Sequence, residues 1–310
     1  MQTVLITGGT GFIGRALTKL LLEKNYRVII LTRDLNHQQT KLQPHVQYAQ
    51  WDLQKQIIDE KAIAASDHIV HLAGANVGEK RWTKKRKKEI VESRTKSGEL
   101  LVKALKEIPN NVKAVISASG IGWYGPDPVI PNPQPFIESA ECHDDFLGET
   151  CRLWEEGITP VSALGKRLVI LRTGIAISEN GGAAERFHKT IRFGIAPILG
   201  SGKQVMSWID LDDLVRLYLF AIENEKVNGI YNAVAPFPVS NRRLVTELAK
   251  HMKGSFFIPV YVPSFALRLL IGEMSIEVLK SATVSSEKIR KAGFQFVYPS
   301  ISASIRKQPA

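Results

Sequence analysis

Residues 3 to 33, TVLITGGTGFIGRALTKLLLEKNYRVIILTR, constrain the fold more than any other stretch of the chain. An apolar, β-branched run ends at Gly8-Gly9. From Phe12, apolar residues recur at Ile13, Ala16, Leu17, Leu20 and Leu21, the spacing of one helix face. Val28, Ile29, Ile30 and Leu31 then form a short continuous apolar run, as a buried parallel strand does. Strand, glycine turn, helix and strand in this order predict a βαβ unit.

The turn itself carries chemistry. Counted from Gly8, Gly8-Gly9-Thr10-Gly11-Phe12-Ile13-Gly14 fits GxxGxxG. Glycines let a backbone approach a pyrophosphate closely, and a helix start offers unpaired N–H donors with a partial positive charge. In this strand-to-helix context the pattern predicts a dinucleotide grip made by Gly8, Thr10, Gly11, Phe12, Ile13 and Gly14. The end of the second strand selects the dinucleotide. An acid there bonds the ribose hydroxyls of NAD and repels a 2′-phosphate. This chain has Thr32-Arg33, with Asp34 one place later, and an arginine pairs with a phosphate through two charge-assisted bonds. NADP(H) is the expected cofactor, with Arg33 on its 2′-phosphate.

Further strand candidates are Val46 to Trp51, His68 to Leu72, Val112 to Ser117 and Leu168 to Leu171. Helical patterns cover Lys85 to Leu105 and Phe146 to Leu164. The alternation predicts an α/β fold, a Rossmann-type doubly wound parallel sheet over residues 1–172. After about residue 173 it breaks down. Gly181-Gly182, Pro197 with Gly200 and Gly202, and Pro236 with Pro238 mark turns, and Pro259 and Pro263 precede a helix rich in Leu and Ile. Residues 173–310 are expected to form a smaller mixed α/β substrate lobe, folded onto the sheet and sharing its core.

At 310 residues and 44% hydrophobic, the chain can bury a core of that size. No stretch approaches the roughly 20 apolar residues of a membrane span, and no membrane partner is expected. Two cysteines, Cys142 and Cys151, are too few for a disulfide framework or a structural zinc site. No histidine pair has metal-ligand spacing, so no metal is expected, and the setting reads as reducing and cytoplasmic. Part of the +11 formal charge is local, in Lys80, Arg81, Lys84, Lys85, Arg86, Lys87 and Lys88. Such a run attracts nucleic acid, acidic lipid or an anionic substrate. Charge runs are usually solvated helix faces, and only Trp82 interleaves this one, so nucleic acid is not an expected partner. A hydrolase has no GxSxG elbow to build on.

Beyond the glycines, Trp51-Asp52-Leu53, His71-Leu72-Ala73-Gly74, Ser117-Ala118-Ser119 followed by Trp123-Tyr124-Gly125, and Ser207 to Leu214 resemble the extended short-chain dehydrogenase/reductases, the sugar-nucleotide epimerase-like group. The resemblance implies that Asp52 and Leu53 touch adenine, that Leu72, Ala73 and Gly74 flank the cofactor, and that Ser119 is the catalytic serine. Arg81-Trp82, Ser93-Arg94, Phe146-Leu147 with Cys151-Arg152, Trp154-Glu155 and the stretch Pro263 to Met274 resemble an atypical subgroup, the epimerase-family (nucleoside-diphosphate-sugar-epimerase-like) proteins, whose C-terminal segment would here be 255–305. The likeness to the wider extended family implies a small-molecule substrate, nucleotide-sugar-like in class, and a homodimer through paired helices.

One departure stands out. Ordinary members use a tyrosine and a lysine four residues later, the cation lowering the pKa of the phenol so that it shuttles protons. Aligned on the helix, those positions hold Leu147 and Cys151, and Arg94 stands where the family has an asparagine. Ser119, assisted by Arg94, is expected to polarise the substrate, with Tyr124 or Cys151 supplying the proton. A cation beside a thiol favours thiolate, as Arg94 would at Cys151. The alternatives are a packing role for Cys151 and a loop-anchoring role for Tyr124. The expected function is an NADP(H)-dependent oxidoreductase or epimerase-like enzyme; the alternative is a catalytically silent NADP(H)-binding sensor or scaffold.

Overall fold

The structure is a computed structural model that describes residues 1–35, 44–179, 181–182 and 184–307. The expected βαβ unit is its centre: strand β1 (Thr3–Thr7), helix α1 (Phe12–Glu23) and strand β2 (Arg27–Thr32), with the strands parallel and Val4 opposite Val28. Strands β3 (Val46–Asp52), β5 (His68–His71), β6 (Ala114–Gly120) and β7 (Arg167–Thr173) extend the sheet, and β4 (Ile57–Ile58) adds a short antiparallel edge. Helices α2 (Glu60–Ala64), α3 (Lys84–Glu107) and α4 (Phe146–Ile158) intervene. A two-turn 3₁₀ segment over Thr159–Leu164 follows α4 and ends the α-helical pattern early, with Pro160 in its first turn.

Past residue 173 the chain builds the lobe and then returns to the sheet. Strands β8 (Ile175–Ser178), β9 (Gly181–Gly182), β10 (Ile195–Leu199), β11 (Val205–Met206) and β12 (Trp208–Asp210) accompany helices α5 (Ala184–Ile191) and α6 (Leu211–Glu223). Then β13 (Gly229–Ala233) pairs parallel with β7. The eight-stranded order is β13-β7-β6-β5-β1-β2-β3-β4. Thus the sheet expected of residues 1–172 is completed by residues 229–233. Strands β14 (Val239–Ser240) and β15 (Ile258–Val262) and helices α7 (Asn241–Lys253) and α8 (Ser264–Ile271) finish the lobe, with shorter helices beyond.

Strand alternation divides the core. Val4, Ile6, Val28 and Ile30 face α1 and α6, packing on Leu17, Leu21, Leu214 and Tyr218. Leu5, Ile29 and Leu31 face the other way, onto Leu100, Leu101 and Ala104 of α3 and onto Ile158. Helices thus cover both faces, as a parallel sheet requires. A third cluster, around Ile177, Ile198, Trp208, Leu244 and Leu248, is the lobe's own core. No helix among the described residues is long and apolar enough to cross a membrane.

Candidate active site

The residues expected to hold a cofactor gather at the C-terminal ends of β1, β2, β3 and β5, where open parallel sheets bind ligands. Gly8 has φ +72°, and a Cβ there would lie 2.9 Å from the Leu72 carbonyl. The Gly11 N–H donates to Gly8 O at 3.0 Å, closing the turn. A Cβ on Gly14 would lie 2.6 Å from Gly9 Cα, so only glycine lets α1 pack this closely on the turn. Gly11 is the N-cap of α1, which has no side-chain cap and no acid in its first turn. Its leading N–H groups and positive dipole end are therefore available to an anion. Thr10 and Gly11 are exposed, while Phe12 and Ile13 are half-buried.

The Phe12 ring lies against Gly181-Gly182, where a Cβ on Gly181 would come within 2.6 Å of it. The sequence marked that pair only as a turn; it is a strap drawn across the start of α1. Arg33 is exposed just past β2. Asp52 ends β3 with Oδ1 accepting from the N–H groups of Gln54 (2.8 Å) and Lys55 (3.1 Å), and Leu53 packs on the core beneath. Ala73 is buried and Gly74 is exposed. This glycine cradle with an uncapped helix start fits the pyrophosphate of a dinucleotide. Among the described residues no cluster of three His, Cys, Asp or Glu side chains stands ready for a metal.

Beneath the cradle lies a buried relay with no counterpart in the sequence reading. The Thr7 hydroxyl accepts from the N–H groups of Leu72 (3.1 Å) and Ala73 (3.2 Å), so its proton is left for His71 Nδ1 at 2.8 Å. His71 Nε2 then carries the hydrogen and donates to Ser97 Oγ at 3.3 Å. Burial, reinforced by Arg94, lowers His71 to about 3, so the imidazole is neutral. The relay ties β1 to β5 and α3 below the glycine turn.

Ser119 and Tyr124 belong to a second buried network. The Ser119 hydroxyl donates to Glu155 Oε1 at 2.7 Å. Arg172 grips the same carboxylate through Nε (2.8 Å) and Nη2 (2.9 Å). Its Nη1 donates to the Tyr124 hydroxyl and to Glu138 O, and its guanidinium lies 3.6 Å from the centre of the Trp123 ring. Tyr124 in turn donates to Asn232 Oδ1 at 2.6 Å and has no exposed surface. Burial raises its pKa, with Arg172 pulling the other way. The phenol thus anchors the loop after β6 and holds its proton facing inward. In the sequence Glu155 stands out only by resemblance, and nothing local marks Arg172 or Asn232.

Arg94 and Cys151 are also turned inward. Arg94 Nη1 donates to the carbonyls of Ala75 (3.1 Å) and Ile90 (2.9 Å), and its guanidinium stacks 4.7 Å from the centre of the Trp154 ring. Burial lowers it to about 10, leaving it a cation at neutral pH that underpins Gly74. The Cys151 thiol donates weakly to Gly120 O at 3.5 Å. Burial pushes it up to about 12, outweighing the pull of Arg94, so the thiolate expected from charge proximity is a neutral thiol. Leu147 and Cys151 together cover Gly122, whose Cβ would lie 3.0 Å from Leu147 Cβ. The lining at the Tyr and Lys positions is apolar and unionised.

The basic run is partly structural. Arg86 is buried and bridges Glu79, Glu89 and the Asn76 carbonyl, and Lys87 pairs with Glu273 over the Phe146 ring.

Residues 4–146 match the model of the NAD dependent epimerase/dehydratase family, and residues 262–307 match a domain of unknown function, DUF1731. An Epimerase family protein of Staphylococcus aureus is 34% identical over 98% of this chain and 98% of its own. The crystal structure of the human epimerase family protein SDR39U1 with NADPH superposes with a TM-score of 0.84 at 27% identity, covering 99% of this chain and 98% of that one. The nucleoside-diphosphate sugar epimerase from Corynebacterium glutamicum gives 0.76 at 32% identity, over 98% of this chain and 57% of that one. From the glycine turn to its C-terminal segment, the chain belongs to the epimerase family, in its atypical short-chain dehydrogenase/reductase branch.

Proposed function

We propose that this protein binds NADP(H) and acts as a reductase-type oxidoreductase on a small molecule, nucleotide-sugar-like in class. Arg33 takes the 2′-phosphate; the likeness to the human protein, crystallised with NADPH, supports that choice over NAD. One observation carries the reaction type: Leu147 and a neutral, buried Cys151 occupy the positions of the proton shuttle. Epimerisation and alcohol oxidation both begin by removing a hydroxyl proton, and neither side chain accepts one. Reduction of a carbonyl needs a proton only on the product oxygen, which water supplies. Bound NADPH supplies the hydride. In this reading Ser119, whose hydroxyl donates to Glu155, orients the substrate at the end of β6, while Arg94 shapes the cleft floor at Gly74. The test is a screen of carbonyl compounds and nucleotide sugars by loss of NADPH fluorescence, with Ser119→Ala beside it. Reduction that falls in the variant, without epimerised product, is the expected result. Turnover undiminished in Ser119→Ala removes that role.

The second reading is a silent NADP(H)-binding module, favoured by the inward hydrogen bonds of both Ser119 and Tyr124. Tight NADPH binding with no turnover across the panel is its signature.

A further inference from the structure

The lobe exposes an apolar surface that the cofactor site does not use. Strands β10 and β15 run parallel, with Ile195 opposite Ile258 and Pro197 opposite Val260. At their start Phe193 and Phe256 are 82% and 86% exposed. At their end Pro263 opens α8, in which only Leu267 is buried, while Phe265 and Leu269 are 74% and 76% exposed. Ile258 and Leu270 face solvent as well. Five residues of strand span about 17 Å, so the aromatic ends and the helix form one edge of the lobe. Exposed apolar surface on this scale marks an interaction site.

The charge of the same segments identifies the partner. The segments that supply this edge, residues 187–199 and 248–272, contain five Lys and Arg and no Asp or Glu, with Glu185, Glu247 and Glu273 just outside them. Arg192, Lys250 and Arg268 stand among the exposed apolar side chains along the chain. The basic run joins them, because Arg81 packs on the C-terminal end of α8: a Cβ on Gly272 would lie 3.2 Å from its Nη2. Apolar side chains flanked by an excess of cations, with Glu273 at the end of α8 paired to Lys87, match a bilayer with anionic headgroups, where the former insert and the latter pair with phosphate. A second copy fits less well, since a two-fold interface would bring these cations against their own counterparts.

We infer that this edge of the lobe, centred on α8 and the β10–β15 pair, docks the protein peripherally on an anionic phospholipid surface. The expectation of no membrane partner rested on the lack of a spanning segment, which peripheral docking does not need.

Co-sedimentation tests it, using vesicles of phosphatidylcholine alone and vesicles with about one-third phosphatidylglycerol. The full chain should pellet with the anionic vesicles, not the neutral ones, and be released at high salt. Phe265→Glu with Leu269→Glu should weaken binding at least about tenfold, since each change removes an inserting group and adds repulsion. Lys250→Glu with Lys253→Glu should weaken it by a similar factor through charge alone. All four positions lie at or near the surface, and an unaltered circular dichroism melt checks that each variant folds. The inference is overturned if the wild-type chain ignores anionic vesicles, or if both double variants bind them undiminished. It is also overturned if vesicle-free ultracentrifugation shows a dimer that Phe265→Glu with Leu269→Glu splits, which assigns the edge to a second copy.

Discussion

Replacing Glu155 by glutamine keeps the shape of the buried network and removes its only carboxylate contact with Arg172. In the native chain that carboxylate accepts from Ser119 at 2.7 Å and from Arg172 at 2.8 and 2.9 Å. The Arg172 side chain is 1% exposed and that of Glu155 6%, so water cannot take over. An amide offers one acceptor oxygen where two were used, and turns an N–H group toward a cation or a hydroxyl proton. Removing one partner of a buried pair costs about 3–5 kcal/mol, mostly through the stranded charge. For a chain of this size that is a Tm drop of about 5–8 °C. Replacing both partners, Glu155→Gln with Arg172→Met, should recover much of the loss, because no buried charge then remains. Urea unfolding of wild type, both single variants and the double variant closes the cycle. A loss below about 1 kcal/mol in Glu155→Gln would refute the argument, since that is the scale of a solvated surface pair.

Three further outcomes follow from the same geometry. Gly14→Ala forces a methyl against Gly9 Cα and should weaken NADPH binding by about fivefold to a hundredfold, the factor matching 1–3 kcal/mol of overpacking; an unchanged Kd in a fluorescence titration speaks against the cradle. His71 is lowered from its ordinary 6.5 to about 3, so between those values the unfolded chain binds the extra proton. Stability from this residue is therefore present above pH 6.5 and lost as pH falls toward 3, at about 1.4 kcal/mol per pH unit, and a His71→Asn variant should lack that slope in urea midpoints. Cys151, a buried neutral thiol, should resist iodoacetamide at pH 8 in the folded protein while half-exposed Cys142 reacts; fast labelling of both would mean that the α4 face opens.

The parts of the fold that rest on local chemistry were legible. Gly8, Gly11 and Gly14 are required by a turn and a close approach within seven residues, and strands β1, β2, β3, β5, β6 and β7 stand out as short runs rich in apolar residues, whereas the two-residue edge β4 does not. Strand β13 did not, because its place beside β7 is a pairing across about sixty residues with no local mark. The candidate chemistry failed to show for the same reason. Ser119, Glu155, Arg172 and Asn232 meet only when β6, α4, β7 and β13 are assembled, and that meeting decides which way each hydroxyl points. At Cys151 the sequence displayed the attractive contribution, a nearby arginine, but not the burial that exceeds it.

The central claim is that the glycine turn and Arg33 bind NADPH in a chain without the usual proton shuttle. Parallel titrations of NADPH and NADH into wild type and Arg33→Asp test it most directly. Wild type should prefer NADPH and the variant should lose that preference, a shift of about tenfold to a hundredfold, the worth of charge-assisted bonds to one phosphate. Equal affinities for both cofactors in wild type, or a preference that survives Arg33→Asp, would contradict it.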